Sequence, residues 1–231
     1  MPTYRHLDEE LSTLREQLDR MMQLVEAQLA EVVNALLACS RTGAEAVVQQ
    51  DREIDALELA VDRQCERILA LQQPVAVDLR MLIAASKINK DLERIGDECK
   101  NIARAIPHLC AAPEVLRVTR FEQMADVARS MFRKVQDALH RRDRLLARQV
   151  IAEDQQVDRL YLQDFNDLVA YGAAHPEHME AVAHLFSVAK ALERIADHIK
   201  NIGEDIVFLI DAVDIRHREL QQEADGSDAP A

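Results

Sequence analysis

The chain has 231 residues, of which 48% are hydrophobic and 30% are charged, and this balance indicates a folded protein rather than a disordered one. Its 41 acidic and 28 basic residues leave a formal charge of −13, which argues against nucleic acid as a partner because phosphate backbones bind clustered positive charge. Charged residues interrupt every apolar stretch before the roughly 20 residues that a membrane span needs, so we expect no direct membrane insertion.

Apolar residues recur at helical spacing from the N-terminus onward, beginning with Leu7, Leu11, Leu14 and Leu18. The charged N-terminus shows no apolar leader, and the four cysteines have no CxxC or zinc-like spacing, so we expect a reducing, cytoplasmic location. The locally basic run from Arg141 to Arg144 is typical of an exposed junction between helices. This junction and four other breaks divide the chain into six predicted helices. The other breaks are Gly43, Pro74, Pro107 with Pro113, and Gly172 with Pro176.

The chain repeats itself at an offset of about 100 residues. Residues 90–102 and 190–202 are identical at nine of thirteen positions, and the Asp-x-x-x-Asp pair of residues 51–55 recurs at residues 154–158. Because long helices joined by short connections favour antiparallel bundles, we predict an all-α fold. The repeat divides it into two tandem, pseudo-symmetric three-helix bundles over residues 1–110 and 111–220, followed by a disordered tail over residues 221–231.

Both copies of the longer motif carry acidic residues one helical turn apart. Each helical residue advances about 100° around the axis, so Glu93 and Asp97 should lie on the side opposite the apolar residues of their motif. Glu193 and Asp197 repeat this arrangement in the second copy. In the preceding helix of the first repeat, four carboxylates share one edge: Asp51, Asp55, Glu58 and Asp62.

This clustering of negative charge favours a bound cation. Like charges one turn apart repel by about 0.2–0.5 kcal/mol per pair, and a cation would remove that cost. Ligand sets made only of oxygen suit Mg²⁺, Ca²⁺ or Mn²⁺, and bridging carboxylates also suit iron clusters. The alternative is that the acids form ordinary exposed ion pairs with Lys90, Arg94 and Lys100. Their recurrence at matched positions in both repeats favours a functional acidic site on the surface of the bundles.

The sequence Glu-Arg-Ile-Gly/Ala-Asp-x-x-Lys-Asn-Ile at residues 93–102 and 193–202, the Asp-x-x-x-Asp pairs and the stretch at residues 69–80 resemble the PhoU family over nearly the whole chain. The resemblance implies a tandem pair of three-helix bundles that bind metal and repress the phosphate-starvation response. It further implies a homodimer that works with two partners, the ATP-binding subunit of the Pst phosphate ABC transporter and the phosphate sensor histidine kinase.

The metal-binding pattern of that family implies two carboxylate clusters in this sequence, with different surroundings. Glu58 in the first repeat corresponds to Tyr161 in the second. Asp62 corresponds to Phe165, so we expect the two clusters to differ in affinity or in the number of ions bound. The residues that the resemblance assigns are Asp51, Asp55, Glu93 and Asp97 in the first cluster and Asp154, Asp158, Glu193 and Asp197 in the second.

Two other interpretations stay open. A carboxylate-lined bundle could be a di-iron protein, but such sites need Glu-x-x-His motifs, and no Glu in the sequence precedes a His by three positions. We therefore expect His184 and His198 to be exposed or interfacial. The second alternative is a purely structural scaffold with docking faces for partner helices. Since neither a nucleophile with its base nor a glycine-rich phosphate loop occurs, we expect no enzymatic activity.

Overall fold

The structure, a computed structural model, describes residues 3–216, with side chains from His6 onward. Within that range the chain contains no β-strand, and the six predicted long helices are all present. A short helix precedes the second repeat, and a 3₁₀ turn at Pro176–His178 precedes the last helix. The helices are α1 (Thr3–Leu37), α2 (Arg41–Gln72), α3 (Val77–Leu109), α4 (Pro113–Leu116), α5 (Phe121–Arg141), α6 (Arg144–Ala174) and α7 (Met179–Asp211).

The helix ends follow local sequence chemistry. Ser40 caps α2, because its side-chain oxygen accepts a hydrogen bond of 3.0 Å from the Gly43 amide. Gly43 therefore lies in the first turn of α2 rather than at a break, and a Cβ at this position would come within 2.9 Å of the Cβ of Ala35 in α1. The predicted junction between α5 and α6 is confirmed, because Arg142 adopts a left-handed φ of 51° and Asp143 caps α6.

The helices form two three-helix units, α1–α3 and α5–α7, which pack on each other mainly through α3 and α7. One continuous apolar core runs through both units. The predicted all-α fold of two tandem bundles is therefore confirmed. Helix α3 contacts α1 and α2 in its own unit and α7 in the other, so it is surrounded on several sides. The two helices run antiparallel, as the numbering of three ion pairs between them shows: Lys87 with Asp205, Asp91 with His198, and Glu98 with Arg194.

Polar contacts accompany the apolar packing between α3 and α7. Lys87 Nζ lies 3.1 Å from Asp205, whose side chain is almost fully enclosed, and burial raises the pKa of this carboxyl despite the nearby ammonium. His198 Nδ1 lies 2.8 Å from Asp91. The expected interfacial position of His198 is thus confirmed, and its partner belongs to the other repeat.

The first repeat ends with α3, and the short α4 connects it to the second. The division of the chain into domains of residues 1–110 and 111–220 stays a prediction. The tail predicted from residue 221 lies outside the described residues. No helix in the described part of the chain is both long and apolar enough to cross a lipid bilayer.

Candidate metal-binding carboxylates

In the first repeat, carboxylates of α2 and α3 meet around the ammonium of Lys100. Lys100 Nζ lies 2.6 Å from Asp97 Oδ1 and also hydrogen-bonds Asp51. The side chain of Asp51 is buried, so the expectation that these acids lie on the bundle surface is wrong for this residue. The physical reason is that the acidic side of the α3 motif packs toward α2. A helical wheel of one helix does not show which of its polar sides a neighbouring helix covers.

The other acids of the first cluster are less enclosed. Asp55 is exposed, but partial desolvation by its neighbours, together with the charge of Asp51, raises the pKa of its carboxyl. Glu93 accepts a hydrogen bond of 3.0 Å from Lys90. Burial opposes ionisation of Asp97, but the hydrogen bond and the charge of Lys100, together with the contacts to Glu93 and Arg94, outweigh this effect and lower the pKa of Asp97. Opposing charges therefore compensate much of the negative charge of this cluster.

The second repeat reproduces the central contact. Lys200 Nζ lies 2.7 Å from Asp154 Oδ2 and 2.6 Å from Asp197 Oδ1, while Asp158 is exposed. Asp154 is as deeply buried as its counterpart, which again contradicts a surface position, and burial raises the pKa of Asp154. Burial disfavours the Lys200 ammonium, but the two carboxylates outweigh this effect and raise its pKa. The other oxygen of Asp154, Oδ1, is buried and has no hydrogen-bond partner among the described residues.

The surroundings of the two clusters differ where the sequences of the repeats differ. Lys90 Nζ lies 3.1 Å from Glu58, an acid that the second repeat lacks. Lys190 instead lies 5.3 Å from the centre of the Tyr161 ring, in addition to its ion pair of 2.6 Å with Glu193. The expected difference in metal affinity between the clusters stays a prediction.

Lys100 and Lys200, the lysines of the repeated motif that we call the motif lysines, occupy the positions at which a cation would compensate these carboxylates. Among the described residues, no three of the eight predicted ligands bring their oxygens within 4.8 Å of one another. A metal ion would therefore have to displace Lys100 or Lys200 and draw the carboxylates together. The donor set consists of oxygens only, and Asp154 Oδ1 offers a free buried acceptor, so the residues fit a hard cation chemically. The ligand assignment itself stays a prediction.

Comparison with known proteins identifies the family. The sequence profile of the PhoU domain matches residues 18–106 and 121–206, once in each repeat. The chain belongs to the PhoU family. A relative from Pseudomonas putida, named phosphate-specific transport system accessory protein PhoU homolog, is 38% identical over 214 residues, which cover 92% of this chain and 84% of the relative. A relative of the same name from Aquifex aeolicus is 34% identical, and the alignment covers 95% of this chain and 99% of the relative.

Solved PhoU structures share the fold. The crystal structure of PhoU from Pseudomonas aeruginosa superposes with a TM-score of 0.83 at 35% identity, covering 89% of this chain and 99% of that one. The crystal structure of the phosphate transport system regulatory protein PhoU from Streptococcus pneumoniae gives a TM-score of 0.80 at 26% identity, covering 90% and 99%. The resemblance to the PhoU family that the motifs indicate is confirmed.

In this PhoU-family chain, sequence reasoning missed Asp164, an acid of α6 that is fully enclosed. Its carboxylate accepts hydrogen bonds of 2.9 and 3.0 Å from the Arg120 amide, and the Arg120 guanidinium lies 3.1 Å away. Burial raises the pKa of Asp164, which these bonds partly offset. The contact fixes the start of α5 against α6. The sequence does indicate this burial, because Asp164 occupies a position in the apolar pattern of α6, seven residues after Val157 and four before Leu168.

Proposed function

We propose that this protein is a cytoplasmic accessory regulator of phosphate uptake that reports phosphate sufficiency and represses the phosphate-starvation response. It acts without enzymatic activity, as a homodimer, by binding the ATP-binding subunit of the phosphate ABC transporter and the phosphate sensor histidine kinase. Membership of the family supports the proposal, as do the names of the relatives, which describe accessory or regulatory proteins of phosphate transport.

The observation that carries a role in protein binding is an apolar surface at the connection between α2 and α3. The side chain of Val75 is 72% exposed and that of Leu71 is 66% exposed. Contiguous exposed apolar side chains mark surfaces that another protein covers. The corresponding connection of the second repeat carries polar residues at His175–His178 instead. We call this surface the apolar tip, and its residues are Leu69, Leu71, Val75, Val77, Leu79 and Ile83.

Two partners can be engaged together because the repeats are similar in fold but differ in surface. Simultaneous contact raises the effective concentration of each partner, so weak individual affinities suffice. The formal charge of −13 disfavours direct contact with DNA, and regulation then passes through proteins. Purification of the tagged chain from phosphate-replete cells tests this directly. Both the ATP-binding subunit and the sensor kinase should be enriched, and recovery of neither would contradict the proposal.

We also propose that the carboxylate clusters bind hard divalent cations or an iron cluster. The oxygen donors and the free Asp154 Oδ1 support this, and a bound cation would supply the positive charge that the motif lysines now provide. Replacing both Glu93 and Asp97 with Ala should lower the metal content of chelator-free protein without unfolding it. A parallel variant, Asp137→Ala, removes an exposed acid outside the clusters and should leave the metal content unchanged. Equal metal content in the parent and the double variant would contradict metal binding.

A further inference from the structure

We propose that His108, Glu180 and His184 form a zinc site that connects the two repeats. The three residues are separate from the carboxylate clusters, and the site does not depend on the proposed role in phosphate uptake. We call it the inter-repeat zinc site.

The three side chains already lie close together. His108 Nδ1 is 3.5 Å from Glu180 Oε1. The imidazole rings of His108 and His184 stack, with centroids 4.1 Å apart and planes inclined by 14°. One ligand atom from each of the three residues lies within 4.8 Å of the other two. The lone pairs of the two stacked rings lie in nearly parallel planes, so at least one imidazole must rotate out of the stack to bind the same ion.

The helices hold these residues in place. Glu180 and His184 are one turn apart on α7, a spacing that puts both side chains on the same face of the helix. His108 is in the last turn of α3. Because α3 and α7 pack along each other, the backbone positions of all three residues are fixed before any ion arrives. Such preorganisation reduces the entropy that binding must overcome.

The donor set selects the metal. Two imidazole nitrogens with one carboxylate oxygen are a known ligand combination for zinc, and three protein ligands leave a position for water. Hard cations prefer oxygen ligands and would bind here less well. Ligand atoms on a tetrahedral zinc ion lie roughly 3.3 Å apart. The three ligand atoms here are at most 4.8 Å apart, so each pair must approach by about 1.5 Å at most. Glu180, with a side chain that is 81% exposed, is free to make that movement.

The nitrogens are available for coordination. Apart from its stacking on His108, His184 makes no hydrogen bond or ion pair with any other residue of the described range. Within the described part of the chain, the His108 side chain makes only its stacking on His184 and its long contact with Glu180. Both imidazoles line an open groove of about 980 Å³ between the repeats, so an ion can reach them from solvent.

A second group of possible ligands, His175, Glu177 and His178, is less suited to zinc. His178 Nδ1 lies 2.8 Å from the hydroxyl of Tyr171, and its Nε2 lies 3.1 Å from Glu114. Both nitrogens of this imidazole therefore have partners, and a metal bond would break one of these contacts. Zinc therefore suits the inter-repeat site better than this second group, and His178 is a suitable control.

Zinc would connect the last turn of α3 to the first turns of α7. The opposite end of the same helix pair is joined by Lys87 and Asp205. We therefore expect bound zinc to stabilise the contact between the repeats. At free zinc about a hundred times above its Kd, the midpoint of thermal unfolding should rise by about 5–10 °C.

Isothermal titration of the full chain with Zn²⁺, in excess Mg²⁺ to occupy the carboxylate clusters, tests the proposal. The parent should bind one zinc ion that His108→Asn and His184→Asn each weaken by at least about tenfold. Glu180→Gln, a change at an exposed side chain, should weaken binding in the same direction and serves if a histidine variant does not fold. His178→Asn should bind zinc like the parent.

Three results would overturn the site. One is a parent that binds no zinc, and another is zinc binding that both His108→Asn and His184→Asn leave unchanged. The third is loss of zinc in His178→Asn with full binding in His184→Asn, which would place the ion in the other group.

Discussion

Lys200 Nζ lies 2.7 Å from the carboxylate of Asp154, and this contact repeats the one that Lys100 makes with Asp51 in the first repeat. Each lysine belongs to the same short motif as an acid that the family resemblance assigns to metal. The ammonium and a bound metal ion would therefore compete for the same oxygens. Removal of the lysine should change metal binding and stability in opposite directions.

Lys100→Met should raise the affinity for Mn²⁺ by about tenfold, which corresponds to about 1.4 kcal/mol of relieved charge competition. The metal-free variant should be less stable, because a buried ion pair that loses one partner costs about 3 kcal/mol. Titration calorimetry and urea unfolding measure the two effects. Lys134→Met is the control, since its partner Glu153, at 2.5 Å, lies outside both clusters. Equal Mn²⁺ affinity in all three proteins would count against a metal site at Asp51 and Asp97.

Asp164→Ala should lower the free energy of unfolding by about 1–3 kcal/mol. The substitution leaves the Arg120 amide without its acceptor at the start of α5 and removes one of the two carboxylate partners of the Arg120 guanidinium. Urea denaturation followed by circular dichroism gives the value. Asp167→Ala removes the exposed second partner of the same arginine and should cost less than about 1 kcal/mol. Similar losses in both variants would show that the buried bonds are not what holds α5.

Glu204→Gln should stabilise the protein at neutral pH and have no effect in acid. Burial raises the pKa of Glu204, so the folded chain binds its proton more readily than the unfolded chain. The stability that this group contributes is complete below its unfolded pKa of about 4.3 and falls as the pH rises through the folded value. Thermal unfolding at about pH 4 and pH 7 compares the variant with Glu53→Gln, which changes an exposed glutamate of α2. A gain that persisted at the lower pH would contradict burial as its cause.

Local sequence pattern accounts for much of this fold and for less of the site. Helical periodicity predicts the six long helices, and the internal repeat predicts their grouping, because both depend on residues close in sequence. The burial of Asp51 and Asp154 is not predictable in this way. It depends on how α2 packs against α3 and how α6 packs against α7. A helical wheel of one helix carries no information about this packing. The approach of His108 to His184 likewise requires the packing of α3 on α7.

Leu71→Ser with Val75→Ser should reduce recovery of at least one of the two proposed partners in co-purification while leaving the protein folded. Both side chains are largely in solvent, so their loss should change stability by no more than about 0.5 kcal/mol each. Leu162→Ser is the matched control, because that leucine is 61% exposed on the second repeat. If the control loses the partner to the same extent as the tip variant, the apolar tip is not the docking surface.

The most direct measurement of the proposed function is expression of phosphate-starvation genes in a strain that lacks this gene, grown with abundant phosphate. We expect the genes to stay on and the intact chain, supplied in trans, to switch them off again. Normal repression in the deletion strain, with no paralogue present, would contradict the proposed role as a reporter of phosphate sufficiency.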